Sequence, residues 1–424
     1  MKKTLIVLLS VLTVVFMATA ALAVEVSYEG EVEVKWGNNI NNNRLLQLLD
    51  ENGDPVVDGD GKAVVDLLET DKTTGFAVGS FEASLNVDFL KDFGNGVTAG
   101  LKTVTKAHED DDKFVFDGEG WVQLDRDLFT LKAATEIGGN AAKDLGGEYD
   151  LEGAPGLGLD LNLIEGLTIN TVINSGPNYG YLAKAEYEQD LFTIGGGYQS
   201  ECTDNVEAEV PEIDITARLS ALSVYGSFNV IEPLTLSAEY ATRTGKASGK
   251  VAGVDVDESK DITAILASAA YEEEDFIDAK VSFLMQDAGF ITLNYADDGD
   301  DFLARDFVKG FAGFDHVVIF SDVTFNVTED FELNGAFDYI VSSKLDDTKY
   351  ELSDDMSYKI GAAYTIDDLK LEGWYKAFVI DQLGAKATYT LAEDVDTSFE
   401  VTYGPEVKDG DGKVSYTAKV TAAL

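Results

Sequence analysis

Residues 24–36 read VEVSYEGEVEVKW, a strict alternation of apolar with charged or polar side chains. Successive side chains of a β-strand point to opposite faces, so a period of two predicts a strand with one apolar and one charged face. The same alternation recurs along the chain, for example in residues 81–89 and 369–376, and no helical period persists for more than a turn or two. The sequence therefore predicts an all-β protein.

Nine short and mostly acidic turns join these strands in pairs. One strand ends, the chain turns within a few residues and the next strand begins in segments such as QLDRDLFTLKAA and TIDDLKLEGWY. The turns are centred near Asp92, Arg126, Glu165, Gln189, Glu232, Glu273, Glu329, Asp367 and Glu393. Their average spacing of about 38 residues fits two strands of about 9–11 residues and one longer connection. Short turns at one end and long polar connections at the other predict a transmembrane β-barrel.

The number of strands follows from the turns. Nine hairpins give about 18 strands, and residues 24–36 and 413–424 add one at each end, for about 20 in an antiparallel up-and-down barrel. Counts of about 18 or 22 stay open, because residues 290–295 also alternate. We expect one barrel domain over residues 24–424, with short periplasmic turns and long acidic extracellular loops.

The composition excludes several classes of protein. The chain has 31 Lys and Arg residues against 78 Asp and Glu, a formal charge of −47, and a single Cys. Phosphate groups would repel such a surface, so a nucleic-acid binder working through basic side chains is excluded. One Cys excludes a disulfide framework and a thiolate metal cluster.

The N-terminus has the pattern of a secretory signal peptide over residues 1–23. Two lysines precede an apolar run at residues 5–16, and the small-residue pattern Ala21, Leu22, Ala23 ends it. The next residue is a valine, whereas a lipoprotein would need a cysteine there. No later run of about 18 apolar residues occurs, so strands must make any membrane crossing.

The combined features resemble those of bacterial outer-membrane β-barrel porins over essentially all of residues 24–424. They are the signal peptide, the charge alternation, the turn asymmetry and the last strand, VSYTAKVTAAL. That strand is similar to the signal read by the barrel-assembly machinery, although it ends in Leu424 and not in an aromatic residue. The resemblance implies residence in outer-membrane lipid, assembly by that machinery, no enzymatic activity and no cofactor. Many porins are homotrimers, and the sequence leaves this state open.

The alternation also assigns side chains to the inside of the barrel. Acidic residues outnumber basic ones there, which predicts passive diffusion of small hydrophilic solutes and ions with weak cation selectivity. The residues expected to line the pore are Glu29, Glu31, Glu33, Glu82, Lys102, Lys132, Lys184, Glu239, Arg243, Lys280, Glu332, Asp338, Lys370, Glu372, Lys376, Lys386 and Glu400.

Two connections are long enough to fold inward and narrow the pore, residues 38–74 and 287–315. The second combines an acidic run with two basic residues and the phenylalanines Phe302, Phe307, Phe311 and Phe314, an unusual composition for an exposed loop. It is therefore the predicted constriction, while an external cap or an extra hairpin above the barrel remains open. Its candidate charged residues are Asp297, Asp298, Asp300, Asp301, Arg305 and Lys309.

No catalytic or metal site is predicted. His108 and His316 lack the Ser or Cys elbow that a catalytic base would serve. The segment DENGDPVVDGDGK does not match an EF-hand calcium loop. With Asp50 as the first loop position, Pro55 stands at the sixth position, where the loop needs glycine. The alternatives to a porin are a structural barrel or adhesin without transport, a membrane-barrel hydrolase, and a soluble secreted sandwich or solenoid.

Overall fold

The computed structural model describes residues 25–37, 43–47, 65–69, 81–108, 114–145, 151–175, 179–203, 213–251, 254–287, 315–345, 348–350, 356–377, 381–392, 395–405 and 412–423. All regular secondary structure in these ranges is β-strand. None of these residues forms a helix of the length and apolarity needed to cross a bilayer.

The strands follow one another along the chain with few interruptions. They are β1 (Glu25–Gly37), β2 (Asn43–Gln47), β3 (Val65–Glu69), β4 (Phe81–Gly94), β5 (Val97–His108), β6 (Phe114–Arg126), β7 (Phe129–Gly139), β8 (Leu151–Ile164), β9 (Leu167–Ser175), β10 (Tyr179–Gln189), β11 (Phe192–Thr203), β12 (Ile213–Ile231), β13 (Leu234–Val251), β14 (Val254–Glu273), β15 (Ile277–Gln286), β16 (Asp315–Thr328), β17 (Phe331–Leu345), β18 (Thr348–Tyr350), β19 (Met356–Ile366), β20 (Leu369–Ala377), β21 (Asp381–Ala392), β22 (Val395–Pro405) and β23 (Gly412–Ala423).

One antiparallel sheet contains 21 of these strands, and β2 and β3 form a separate hairpin inside the first long connection. Strands adjacent in the chain are hydrogen-bonded to each other along the sheet. The first strand, β1, pairs with β4 on one edge and with β23 on the other, so the two ends of the sheet meet. Because β18 pairs only with the end of β17, the wall consists of about 20 strands. The predicted up-and-down barrel is confirmed.

The short turns lie at one end of the barrel, as predicted. Eight of the nine are described, at residues 95–96, 127–128, 165–166, 190–191, 232–233, 274–276, 329–330 and 367–368. The ninth, at residues 393–394, lies outside the described residues, between the paired strands β21 and β22. Asn95 and Asp367 have φ angles of 55° and 51°, a left-handed conformation that Asn and Asp tolerate in tight turns.

Three neighbouring strands, β12, β13 and β14, are much longer than the strands beside them. They contain 19, 18 and 20 residues, against 12 in β11 and 10 in β15. Their ladder runs from the short turn to the pair Val251 and Val254. The extra residues carry these strands roughly 20 Å past their neighbours on the long-loop side. Only residues 252–253 separate β13 from β14, so the residues of this repeat lie mostly in long strands.

The two faces of the wall differ in chemistry. One face exposes large apolar side chains, among them Ile194, Val224, Val281, Leu371 and Phe399. The other face carries small, polar and charged side chains, such as Ser223, Ser268, Ser282, Gln286 and Ser357. A soluble sandwich buries its apolar face, whereas a membrane barrel presents that face to lipid. The exposed apolar face therefore identifies a transmembrane barrel.

Candidate functional site

The strand register places the predicted pore-lining residues on one face of the sheet. Directly paired residues of an antiparallel ladder lie on the same face, so the face can be followed from strand to strand; Glu33, for example, pairs with both Glu82 and Thr421. The polar face contains all 17 predicted residues, from Glu29 on β1 to Glu400 on β22. Glu239, Arg243 and Asp338 are buried on this face, with 3%, 4% and 2% of their surfaces exposed. That the other predicted residues meet pore water stays a prediction. The six predicted constriction residues, between Asp297 and Lys309, lie outside the described residues.

A short segment folds from the wall into the barrel. Residues 140–145, here called the strap, follow β7 and pack against the polar face of β10, β11, β12 and β13. Ala141, Ala142 and Leu145 are buried there. A segment that contacts the inner face of four strands lies inside the barrel, so the strap occupies part of the lumen.

An apolar cluster holds the beginning of the strap. Ala141 packs with Leu151, Val172 and Leu182, and Ile137 lies against the same group. These side chains come from β7, β8, β9, β10 and the strap. Burial of this cluster fixes the root of the strap next to the wall.

The carboxylate of Glu239 holds the other half of the strap. The backbone amides of Lys143, Asp144 and Leu145 donate to it over 2.8, 2.6 and 3.0 Å. The hydroxyl of Ser223 donates to the same carboxylate over 2.6 Å. Hydrogen bonds to an ionised acceptor are stronger than neutral ones, so Glu239 is the principal polar anchor of the strap.

Three further side chains of the wall bind the strap backbone, and one of them is Lys184, whose Nζ donates to the carbonyl oxygen of Ala142 over 3.4 Å. The amide of Ala141 donates to Oε1 of Gln199 over 2.7 Å. Arg243 donates from Nη2 to the carbonyl oxygen of Leu145 over 3.1 Å. Arg243 and Glu239 lie four residues apart on the inner face of β13, so this one strand binds both N–H donors and a carbonyl acceptor of the strap.

A glycine in the wall makes room for the strap. A Cβ atom at Gly197 would lie 2.5 Å from the carbonyl oxygen of Ala141 and 2.9 Å from its Cα. Atoms do not approach that closely, so any side chain at this position would push the strap backbone away. Glycine inside a strand often marks such a close approach of another backbone.

Charged side chains surround the strap on its open side. Nζ of Lys143 lies 3.7 Å from Oε2 of Glu186. The ammonium groups of Lys143 and Lys184 lie 5.4 and 5.3 Å from the ring centroid of Tyr225, within reach of a cation–π attraction. Positive and negative groups therefore meet where the strap borders the lumen.

The surroundings of Asp144, at the centre of the strap, raise the pKa of its carboxyl. Burial raises the pKa of the Asp144 carboxyl above its usual value, and the nearby charge of Glu239 raises it further. Lys280, Lys143 and Lys184 act in the opposite direction without cancelling the shift. The charge of Asp144 is therefore lost at a higher pH than that of an ordinary aspartate.

Comparison with known proteins found similarity only at the level of structure. No protein-family model matches the sequence, and no curated protein matches it. The chain is similar to Pseudomonas aeruginosa OpdQ, at 11% identity over 95% of this chain and 98% of that one, with a TM-score of 0.48. It is also similar to Pseudomonas aeruginosa OpdL (9% identity, 94% and 99%, TM-score 0.45) and to a mutant of Rh. blastica porin (11%, 94% and 100%, TM-score 0.36).

These structural neighbours are outer-membrane porins. Structural similarity at this level of identity and TM-score does not show which solutes cross a barrel. The strap and the charged wall must therefore carry any functional conclusion.

The strap was missed by sequence reasoning. Its residues NAAKDL form a short polar stretch without a repeat, and its hydrogen-bond partners lie between 42 and 98 residues away in the chain. The available signal was the run of glycines at residues 195–197, which leaves two inner-face positions of β11, Gly195 and Gly197, without a side chain. Among the described residues, no group of three or more His, Cys, Asp or Glu side chains is placed to hold a metal ion.

Proposed function

We propose that this protein is an outer-membrane porin, which allows passive diffusion of small hydrophilic solutes and ions through a barrel narrowed by the strap. The observation that carries this proposal is the position of the strap, whose described contacts lie on one side of the barrel, from β8 to β13. Inner-face charges on other strands, including Asp88, Lys102, Asp278 and Lys370, are exposed. Exposed charges on the inner face support a lumen filled with water.

Weak cation selectivity belongs to the same proposal. Besides the acidic members of the inner face, each of the eight described short turns has an exposed carboxylate in it or close beside it, namely Asp92, Asp127, Glu165, Asp190, Glu232, Glu274, Glu329 and Asp367. A ring of carboxylates around one mouth raises the local concentration of cations and repels anions. Lysines and Arg243 on the inner face moderate this preference.

Export and assembly complete the proposal. A signal peptide at residues 1–23, outside the described residues, would direct the chain across the inner membrane. The barrel-assembly machinery would then insert it with the short turns on the periplasmic side. A homotrimer stays open, and the proposal includes no catalytic residue, cofactor or resident metal.

A structural barrel or adhesin without transport is the second candidate. The long strands β12, β13 and β14 favour it, because they extend past their neighbours on the side of the long loops. Such a projection can serve as a contact surface outside the cell. The two candidates differ in whether ions cross the barrel.

Recording from the purified protein in planar lipid bilayers separates these functions. A porin gives discrete conductance steps, and a potassium chloride gradient gives a reversal potential of the sign expected for cation preference. Insertion without conductance would reject the porin in favour of the structural barrel. A preference for chloride would overturn the selectivity alone.

Asn replacements at Asp297 and Asp298 would test the predicted constriction, through reduced cation preference.

A further inference from the structure

The carboxylate of Glu239 receives four hydrogen-bond donors. Its Oε1 accepts from the amide of Lys143 and the hydroxyl of Ser223, and its Oε2 accepts from the amides of Asp144 and Leu145. Three consecutive backbone amides around one anion form a nest. An ionised carboxylate has acceptors only, so it suits this site better than any other side chain.

The burial of Glu239 shows that the strap covers it. Only 3% of its surface is exposed, although it lies on the face that lines the lumen. A buried carboxylate needs its hydrogen bonds, because an unpaired charge away from water is very costly. The strap and Glu239 therefore stabilise each other, and each would regain water if the strap moved away.

The remaining contacts divide the strap into a root and a tip. The root at Ala141 is held by the apolar cluster and by Gln199. The tip, residues 143–145, has three amides on Glu239 and one carbonyl on Arg243. Loss of the carboxylate would therefore free the tip while the root stays in place.

We infer that Glu239 is the positioning residue that sets the width of the pore, by holding the tip of the strap against the inner wall. This inference rests on the proposed channel function. The carboxylate does not meet the passing solute, because the strap lies between it and the lumen. It acts through the position of Lys143 and Asp144, whose side chains border the opening.

The substitution Glu239→Gln tests this role with little change of shape. Its amide nitrogen would face backbone N–H donors, so at least one of the four hydrogen bonds is lost and a donor opposes a donor. Glu186→Gln is the matched control, because it removes the same charge from the same wall. Glu186 contacts the strap only through the Lys143 side chain in the interactions described.

Thiol protection reports the position of the strap directly. In a background with Cys202→Ser, a cysteine is placed either at the tip (Leu145→Cys) or at the root (Ala141→Cys), both at positions with no exposed surface. With Glu239 intact, both thiols should resist a water-soluble thiol reagent in detergent-solubilised barrels. With Glu239→Gln, the tip thiol should react about tenfold faster or more, and the root thiol should stay protected. With Glu186→Gln, both should stay protected.

Single-channel conductance then links the strap to the width of the pore. Glu239→Gln should raise it, while Glu186→Gln should change ion preference more than conductance. Unchanged tip reactivity in Glu239→Gln would overturn the anchor, and a freed tip with unchanged conductance would overturn its control of width.

Heat-modifiable gel mobility verifies folding; if the Gln variant does not fold, Glu239→Asp should give an intermediate reactivity. A barrel with the expected thiol pattern but no conductance would reject the channel and keep the anchor.

Discussion

Two neighbouring carboxylates in the lumen have different tasks because their surroundings differ. Glu239 lies under the strap and accepts four hydrogen bonds, so it acts on structure. Asp144 lies on the strap itself, partly buried, and the pKa of its carboxyl is raised by that burial and by Glu239. Residue type alone does not distinguish the two, since both appear in the sequence as acids in a very acidic chain.

The pH dependence of selectivity should reveal Asp144. An acid with a raised pKa is charged only above that pKa, so as pH falls Asp144 loses its negative charge before a carboxyl at the ordinary value of 3.8 does. The cation preference, measured as the reversal potential in a salt gradient, should therefore begin to decline at a pH above that value. Asp144→Asn should abolish this early decline.

The control for this experiment is Asp88→Asn, an equal loss of charge on β4, away from the strap. It should lower the cation preference but keep the early decline. If Asp144→Asn and the unmodified protein show the same pH profile, Asp144 does not contribute to selectivity.

At the scale of elements, the sequence predicts what is local and misses what is distant. Alternation with a period of two defines the strands, and acidic tight turns define where they reverse, because both signals lie within about ten residues. The strap depends on Glu239, about a quarter of the chain away, and on a gap left by Gly197. The sequence predicts the constriction in residues 287–315, because that connection is longer and more aromatic than residues 140–150, whereas the strap residues carry no local sequence signal.

A charged residue on the outer face of a strand should destabilise the barrel. Val281 on β15 is 53% exposed on the apolar face. Val281→Arg would place a cation in hydrocarbon, at a cost of up to about 2–4 kcal/mol near the middle of the bilayer and less towards its edges. Urea titration of the barrel folded into lipid vesicles measures the free energy of unfolding.

Asp278→Arg on the same strand provides the comparison. Asp278 lies on the polar face, where water can solvate an arginine, so the free energy of unfolding should change far less. Equal losses in the two variants would show that both faces of β15 have the same surroundings, which contradicts a membrane barrel.

At the scale of the whole molecule, the wall is a single sheet. Its outer side chains face lipid and its inner side chains face water. The 20 strands keep one face consistent around the sheet, because the register of β1 with both β4 and β23 matches polar face to polar face. The sequence predicts this boundary for each strand separately. Pairing of the first strand with the last closes the sheet into a barrel with a lumen.

Adjacent cysteine substitutions test this boundary most directly. The pairs are Leu131 with Lys132, Val281 with Lys280, and Leu371 with Lys370, from three strands around the barrel, each changed singly to Cys in a Cys202→Ser background and reconstituted in lipid vesicles. A charged, water-soluble thiol reagent present on both sides of the membrane should label the three cysteines that replace lysines and spare the three that replace apolar residues. Equal labelling within the pairs, or labelling of the apolar positions alone, would contradict a wall with water inside and lipid outside.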